Sequence, residues 1–586
     1  MKEKELSIQA IGITKKYPKN KIGLQPMSLE IKPKSFVALM GPSGCGKSTL
    51  LKCLNGDNPA TSGEVFINGL SLIENYDLVK KDIGYVPQDD IIHRELSVYK
   101  TLYYAAKLRL PDDTTKKEID QRINKVLKSL KLDQHDQGNP KGQKDIKDKK
   151  VKELSGGQRK RISIAVELLT EPSILFLDEP TSPLDPETID SFLKSLRELA
   201  EGGTSIVMVT HKPEDLNYVD EIVFLGVKGH LVYKGAPQKI TEHFRVDTII
   251  EVYSKMSHLD EVKNYYTAPK DGSVSARVNP KLKKTKPDSS IRQLYWLANR
   301  YLNIKLNDFN NLLLLLLQPI IIGGLVSLVF TEFRIGVIFL TAISAIWFGV
   351  SNSAKEIVGE MAIYKRERMF NLNINTYIIS KLLILSLIAL IQVVVFVAII
   401  HINFKLNAIP EFPETYLRPF WESIGFLFMV SCSATLIGLF LSSYFSTTEK
   451  VMTVVPITLM PQIMLAGVMT KLDTRLIEIL SFFTLGRWGT EGFARLQDDY
   501  FKKMDIATES VLIPEFNPDG YHKNDCKCEA ASALDQLGLY DENLIDKGVL
   551  IGNAFNNFTA NAIAVVILSL IMYLLIFISL NKKDSI

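Results

Sequence analysis

Between Leu312 and Leu580 the chain carries six long apolar runs, near 312–330, 335–352, 378–401, 423–443, 451–470 and 557–580. Each approaches the roughly 20 residues that an α-helix needs to cross a bilayer. Backbone placed in hydrocarbon must satisfy its own N–H and C=O groups, so such runs fold as helices packed on one another. Residues 1–308 are different, mixed and rich in charge. A mean hydropathy of +0.08 averages over this division. The expectation is a multidomain chain whose second part, 309–586, is an all-α six-helix transmembrane domain.

Charge orients the spans. The loop from Lys355 to Lys381 carries Lys365-Arg366-Glu367-Arg368, which places it on the cytosolic side. Six spans then return Asn581-Lys582-Lys583 to the cytosol, and the polar stretch 471–555 falls outside. Pro456, Pro461 and Gln462 in the fifth run predict a kink, with a polar side chain turned away from lipid. The opening MKEKELSIQA has no apolar core of signal-peptide type, so the N-terminal half is expected in the cytosol.

The hydrophilic half is organised around Phe36–Leu51. A short apolar run, FVALM, reads as a buried strand. It leads into Gly41-Pro42-Ser43-Gly44-Cys45-Gly46-Lys47-Ser48, a complete G-x-x-x-x-G-K-[ST] pattern, and Thr49-Leu50-Leu51 continues into a helix. Glycines let successive backbone N–H groups curl around a phosphate. Lys47 supplies a point charge for the β- and γ-phosphates, Ser48 a hydroxyl for Mg²⁺, and the helix start favours anions.

The rest of this half supplies partners for such a loop. Strands are expected at Leu6–Ile13, Met27–Ile31, at Ser62–Gly69 with its Asn-Gly turn, and at Ile83–Val86, which runs into Gln88. Residues 97–132 read as helical. Ser155-Gly156-Gly157-Gln158 opens another helix and offers a second anion-binding start. Ile174–Leu177 is a buried strand with Asp178 and Glu179 at its C-terminal end, where α/β folds place ligands. Asp178 is placed to orient Mg²⁺, and Glu179 to take a proton from the attacking water. A further strand, Ser205–Thr210, ends on His211. Two readings of Tyr17 stand side by side, a plain loop aromatic or a platform for adenine. Gln88 is either a loop residue or a ligand for Mg²⁺ or water.

Together these residues resemble the nucleotide-binding domain of ABC transporters, an α/β P-loop NTPase. GPSGCGKST looks like the Walker A loop, YVPQ the Q-loop, LSGGQ the family signature, ILFLDE the Walker B strand, SPLD the D-loop and VTH the switch-histidine strand. The resemblance spans residues 6–245. It implies ATP and Mg²⁺ as ligands, with Tyr17 on adenine, Gln88 at Mg²⁺, Glu179 as the catalytic carboxylate and His211 sensing the γ-phosphate. Pro183 departs from the small residue usual in the D-loop and removes a backbone donor there. One ATPase followed by one membrane domain resembles the G-subfamily half-transporters. VPQDDIIHRELSVYKTLYYAAKLRLP, ELLTEPSILFLDEPTS, AKEIVGEMAIYKRER and PQIMLAG extend the likeness along the chain.

The domain order expected is 1–250 for the ATPase, a linker at 251–288 whose latter part, 267–288, is rich in Pro, Gly, Ser and Lys, a connecting helix at 289–308, and the spans after it. The resemblance places a coupling segment near Glu356–Arg368. Ile291, Leu294, Tyr295, Ala298, Tyr301 and Leu302 recur at helical spacing, as an amphipathic helix at the bilayer interface requires. The function implied is ATP-driven transport, with export as the direction, by a dimer of half-transporters in the plasma or inner membrane. The partners are a second such chain, the bilayer and a small-molecule or lipid-like substrate. Spans containing Phe, Trp347, Met and Ile suit an amphipathic cargo, and equally suit plain core packing. A membrane-anchored ATPase with a regulatory or mechanical role and an importer subunit served by a separate binding protein are the rivals.

Nucleic acid is not expected as a partner. Lys and Arg number 69 against 65 Asp and Glu, and the basic run 133–152 is interleaved with acids and lacks stacking aromatics. Five cysteines make no disulfide framework. Cys526 and Cys528 in the outer stretch admit free thiols, a bridge between subunits or a metal role. Asn557-Phe558-Thr559 fits a glycosylation sequon but abuts the last span.

Overall fold

The computed structural model describes residues 6–132, 145–182, 184, 186–266, 289–330, 335–406, 419–469, 475–508 and 558–583. Pro183, Cys526, Cys528, Asn557, most of the basic run 133–152 and most of the 251–288 linker lie outside them. The described residues form two compact units. The first holds those of Met1–Trp296 together with Lys365–Leu372, and the second holds Leu297–Tyr364 and Asn373–Lys583.

The first unit is built on two sheets. Strands β1 (Ile8–Tyr17), β2 (Lys21–Ile31), β3 (Phe36–Met40), β4 (Ser62–Ile67), β5 (Leu70–Ser71), β6 (Ile83–Val86), β7 (Ile174–Asp178), β8 (Ser205–Val209), β9 (Glu221–Gly226) and β10 (His230–Gly235) follow in chain order. One sheet has the order β2-β1-β4-β5 and the other β10-β9-β3-β8-β7-β6. In the second sheet β6, β7, β8, β3 and β9 run parallel. Every residue of β3, β7 and β8 is buried, which is why these strands read as unbroken apolar runs rather than as alternation.

Helices α1 (Lys47–Asn55), α2 (Val98–Arg109), α3 (Lys116–Ser129), α4 (Gly156–Leu168) and α5 (Pro186–Glu201) belong to this unit. The stretch expected to be one helix over 97–132 is two. Pro111 cannot continue α2, and Thr115 with Glu118 starts α3 with a reciprocal capping box. Tyr17 ends β1 rather than lying in a loop. A tight reversal, with Lys19 at φ 63°, pairs Tyr17 directly with Lys21.

Glu167, in the last turn of α4, has no exposed surface. Its carboxylate accepts from Arg109 Nη1 at 2.9 Å and Nη2 at 3.1 Å, a bidentate pair. Arg366 Nε lies 3.9 Å from the same carboxylate, and the Arg109 guanidinium stacks 4.0 Å from the Phe370 ring centroid. Removing one partner of a buried pair leaves the other charge uncompensated, at a cost of about 3–5 kcal/mol. Glu167→Ala is therefore expected to destabilise this unit by that order and Glu167→Gln by less, measured as thermal midpoints of the purified protein.

The second unit is helical. It contains the latter part of α6 (Ser290–Asn307), then α7 (Phe309–Val329), α8 (Ile335–Ser353), the start of α9 (Met361–Arg368), α10 (Ile374–Leu406), α11 (Phe420–Tyr444), α12 (Thr448–Met464), α13 (Arg475–Ser481), α14 (Leu485–Thr508) and α15 (Phe558–Lys583). Small residues let α8 and α11 approach closely. A Cβ on Gly349 would lie 2.3 Å from Ser431 O, and one on Gly438 2.1 Å from Ser353 Oγ. Inside the bundle Asn352 Nδ2 donates to Gln392 Oε1 at 2.6 Å, and Gln392 Nε2 donates to Leu315 O at 2.7 Å, tying α7, α8 and α10 together.

Two features depart from the sequence expectation. Among the described residues five helices are long and apolar enough to cross a bilayer, and the fifth run, 451–470, is not one of them. Its helix α12 is 17 residues long, contains Pro456 and Pro461, and ends at Met464. The stretch 471–555, expected as an outer polar loop, contributes α13 and α14, and α14 packs on α8, α11, α12 and α15. Gln462 turns its side chain to this segment, accepting from Gly486 N at 2.8 Å. Polarity did not mark these residues as helical and packed. Arg487, Glu491 and Arg495 sit at i, i+4 and i+8, all less than 10% exposed, and the two arginines share the Glu491 carboxylate.

Candidate functional site

The loop between β3 and α1 is shaped by its glycines. Gly41, Gly44 and Gly46 have φ of 141°, 72° and 107°, a region that side chains with a Cβ resist. At Gly41 a Cβ would come within 2.1 Å of Leu225 O, and at Gly46 within 2.5 Å of Gly23 O. Helix α1 starts without a side-chain cap, so its first N–H groups face the loop. Lys47 Nζ lies across this loop and donates to Gly41 O and Pro42 O, both at 2.9 Å. Cys45 is fully buried, 4.0 Å from that ammonium. Burial pushes its thiol pKa up, with Lys47 pulling the other way.

The strand ends bring the expected acids to the same place. Ser48 Oγ donates to Asp178 Oδ1 at 3.1 Å. Burial raises the Asp178 pKa, against the hydrogen bond from Ser48. Glu179, the next residue, has φ 48°, a strained conformation for a residue with a side chain. That turn directs its carboxylate to two groups from other strand ends. Gln88 Nε2 donates to Glu179 Oε2 at 3.0 Å, and His211 Nε2 lies 2.5 Å from Glu179 Oε1. Residues 88, 179 and 211 thus converge from the ends of β6, β7 and β8.

Tyr17 packs beside α1. Its hydroxyl lies 3.2 Å from Thr49 Oγ1 and accepts from Asn58 Nδ2 at 3.4 Å. Ser155 caps α4: its Oγ accepts from Gln158 N, and Gln158 Oε1 accepts from Ser155 N, both at 3.2 Å. Ser155 itself is exposed, and Gly156, Gly157 and Gln158 are half-buried. Among the described residues no hydrogen bond joins Ser155–Gln158 to the Gly41–Ser48 loop.

Two residues at this site were not singled out from the sequence. Lys160 is fully buried and donates to Pro87 O and Gln88 O, both at 2.7 Å. Asp215, also fully buried, accepts from Thr210 Oγ1 at 2.5 Å and Thr181 Oγ1 at 3.0 Å, joining the residue before His211 to the turn after Glu179. Little in the sequence marked Lys160, because its helical face reads Lys160, Ser163, Ile164 and Glu167 and its burial appears only in the fold. A lysine on a buried face needs acceptors. For Asp215, in a short 3₁₀ helix (Pro213–Tyr218), no periodicity was available.

The three glycines, the open helix start and the oxygen pair of Ser48 and Asp178 fit a nucleoside triphosphate with Mg²⁺. Residues 24–182 match the family model described as ABC transporter, and residues 292–496 match that of the ABC-2 type transporter. Over 506 residues the chain is 30% identical to the ABC transporter ATP-binding/permease protein Rv1747 of Mycobacterium tuberculosis, covering 83% of this chain and 57% of that protein. It is 37% identical to ABC transporter G family member 28 of Arabidopsis thaliana over 244 residues, 41% of this chain and 21% of that one. A solved dimeric bacterial ABC transporter cassette, MJ0796, aligns with 39% of this chain and 98% of its own at 27% identity, with a TM-score of 0.35. The chain belongs to the ABC transporters, with an N-terminal ATP-binding domain followed by an ABC-2 type membrane domain and with homologues in the G family. It is a multi-pass integral membrane protein.

Proposed function

We propose that this chain is one half of a dimeric, ATP-driven exporter of an amphipathic or lipid-like compound. The observation that carries the coupling is the composition of the first unit. Lys365–Leu372 lies in sequence between the apolar helices α8 and α10, yet belongs to the ATPase unit. Within that unit Gln293 Nε2 donates to Asn371 O at 3.0 Å, and Met369 packs in the core with β-sheet residues. The expected segment Glu356–Arg368 is thereby divided. Glu356 stays in the helical unit, accepting from Lys305 Nζ at 2.5 Å and from the Tyr301 hydroxyl.

In this reading Gly41–Thr49 holds the phosphates, with Lys47 as the counter-charge and Tyr17 against adenine. Mg²⁺ would be held by Ser48, Asp178 and Gln88, and when bound it neutralises charge on the β- and γ-phosphates. Glu179 orients the attacking water and accepts its proton, while His211 and Gln88 fix the carboxylate. Ser155–Gln158 of a second copy covers the γ-phosphate with another helix start.

The test uses inside-out vesicles containing the purified chain, with a fluorescent phospholipid and a rhodamine dye as separate probes. ATP-dependent accumulation of either probe, absent with Glu179→Gln, is the expected result. ATP hydrolysis that neither moves nor responds to such compounds would contradict export. Glu356→Ala is expected to leave basal hydrolysis near the wild-type rate and to flatten its response to a transported probe. Loss of ATP binding in that variant would place the segment in the nucleotide site and overturn the coupling.

A further inference from the structure

Helix α4 begins at the signature, and its Lys160 reaches the strand-end site, beside an Arg159–Asp90 ion pair at 3.7 Å. Lys160 stands about 7.5 Å along the helix from Ser155, at 1.5 Å per residue. It has no exposed surface, and its ammonium is spent on main-chain oxygens, donating to Pro87 O and Gln88 O at 2.7 Å each. These two residues are the ones that carry Gln88 out from β6. Pro87 has no N–H, so its carbonyl is its one backbone hydrogen-bonding group, and Lys160 takes it. The Gln88 side chain then reaches Glu179 Oε2 at 3.0 Å. Burial pulls the Lys160 pKa below the ordinary lysine value, opposed by the carboxylates of Asp90, Asp178, Asp89 and Glu179.

We propose that Lys160 is a positioning residue for ATP hydrolysis: by clamping the backbone of Pro87 and Gln88 to the signature helix, it keeps the Gln88 amide on the Glu179 carboxylate and makes Gln88 and the signature move as one body. This rests on the reading of Gln88 as part of the hydrolytic site. A helix start that closes on a nucleotide would, through this clamp, set Gln88 at the same moment. The side chain suits the task. An ammonium has three donors and no acceptor, so it can hold two adjacent carbonyls at once, and a neutral isostere of similar length cannot.

The test measures hydrolysis by the full-length chain against ATP and against free Mg²⁺, for wild type, Lys160→Met, Lys160→Gln, Gln88→Ala and the double variant Lys160→Met/Gln88→Ala. Thermal midpoints and the folded fraction are recorded for each. Small misplacements at a reacting centre cost up to about 100-fold. Lys160→Met is expected to lower kcat roughly 10- to 100-fold and to raise the Mg²⁺ requirement as Gln88→Ala does, with KM for ATP nearly unchanged. Lys160→Gln keeps a donor and should fall between Lys160→Met and wild type. If Lys160→Met fails to fold, this variant carries the comparison. The double variant should be no slower than the worse single one, because both changes undo one interaction. Wild-type kcat in Lys160→Met, losses that multiply in the double variant, or a loss matched by the folded fraction with the Mg²⁺ dependence unmoved would each overturn the proposal. Wild-type hydrolysis by Gln88→Ala would overturn the role given to Gln88 itself, and the clamp with it, and is read from that variant alone.

Discussion

Glu179→Gln is expected to bind ATP with nearly wild-type affinity and to hydrolyse it at least about 100-fold more slowly. The change keeps the shape of the side chain and removes its charge and its capacity to take a proton. The amide oxygen can still accept from Gln88, which donates to the carboxylate at 3.0 Å, so the strand-end arrangement need not collapse. The left-handed backbone at Glu179 is equally open to glutamine. Asp178, which meets Ser48, is untouched, so metal and phosphate binding are spared. Single-turnover hydrolysis together with binding of a fluorescent ATP analogue separates the two effects. Turnover near the wild-type rate would remove Glu179 from its role, and loss of binding would assign it to phosphate recognition instead.

The legible parts of this chain are those where local chemistry admits one solution. FVALM and Ile174–Leu177 read as buried strands and Ser205–Thr210 as a strand, and β3, β7 and β8 are wholly buried, with their parallel order shown by the fold. The glycines of the phosphate loop occupy the left-handed backbone their spacing implied, and Ser155 with Gln158 forms the cap that a serine three residues before a glutamine invites. The adjacency of Asp178 and Glu179 was readable; the turn that separates their directions was not, because a strained φ leaves no mark in composition.

Pairing, within one helix and across the chain, hid the rest. The sequence around Arg487, Glu491 and Arg495 is polar enough to read as solvated. The helix carrying it packs among apolar neighbours because each charge meets an opposite one four residues away. Hydropathy counts the charges and cannot see the pairing. Likewise α12 ends at Met464, with two prolines inside it, and Gln462 in its last turn accepts from Gly486 N of α14. Lys160 was hidden in plain sight within the signature run, its meaning set by carbonyls over seventy residues earlier in the chain.

The central claim is that each ATP site is shared between two copies of this chain. One chain has one phosphate loop and one signature start, and among the described residues no hydrogen bond connects Ser155–Gln158 to Gly41–Ser48. A phosphate loop alone leaves one face of the γ-phosphate to water, and a second helix start would cover it. The most direct measurement is the ATPase rate of purified mixed dimers assembled from differently tagged chains. One dimer pairs Lys47→Ala with Ser155→Arg, and the other pairs wild type with the Lys47→Ala/Ser155→Arg double variant. Shared sites place both lesions of the first dimer in one site and leave the other intact, so hydrolysis should survive. In the second dimer each site carries one lesion, so hydrolysis should be nearly lost. An inactive first dimer beside an active second one would mean that each chain completes its own site, and would contradict the account.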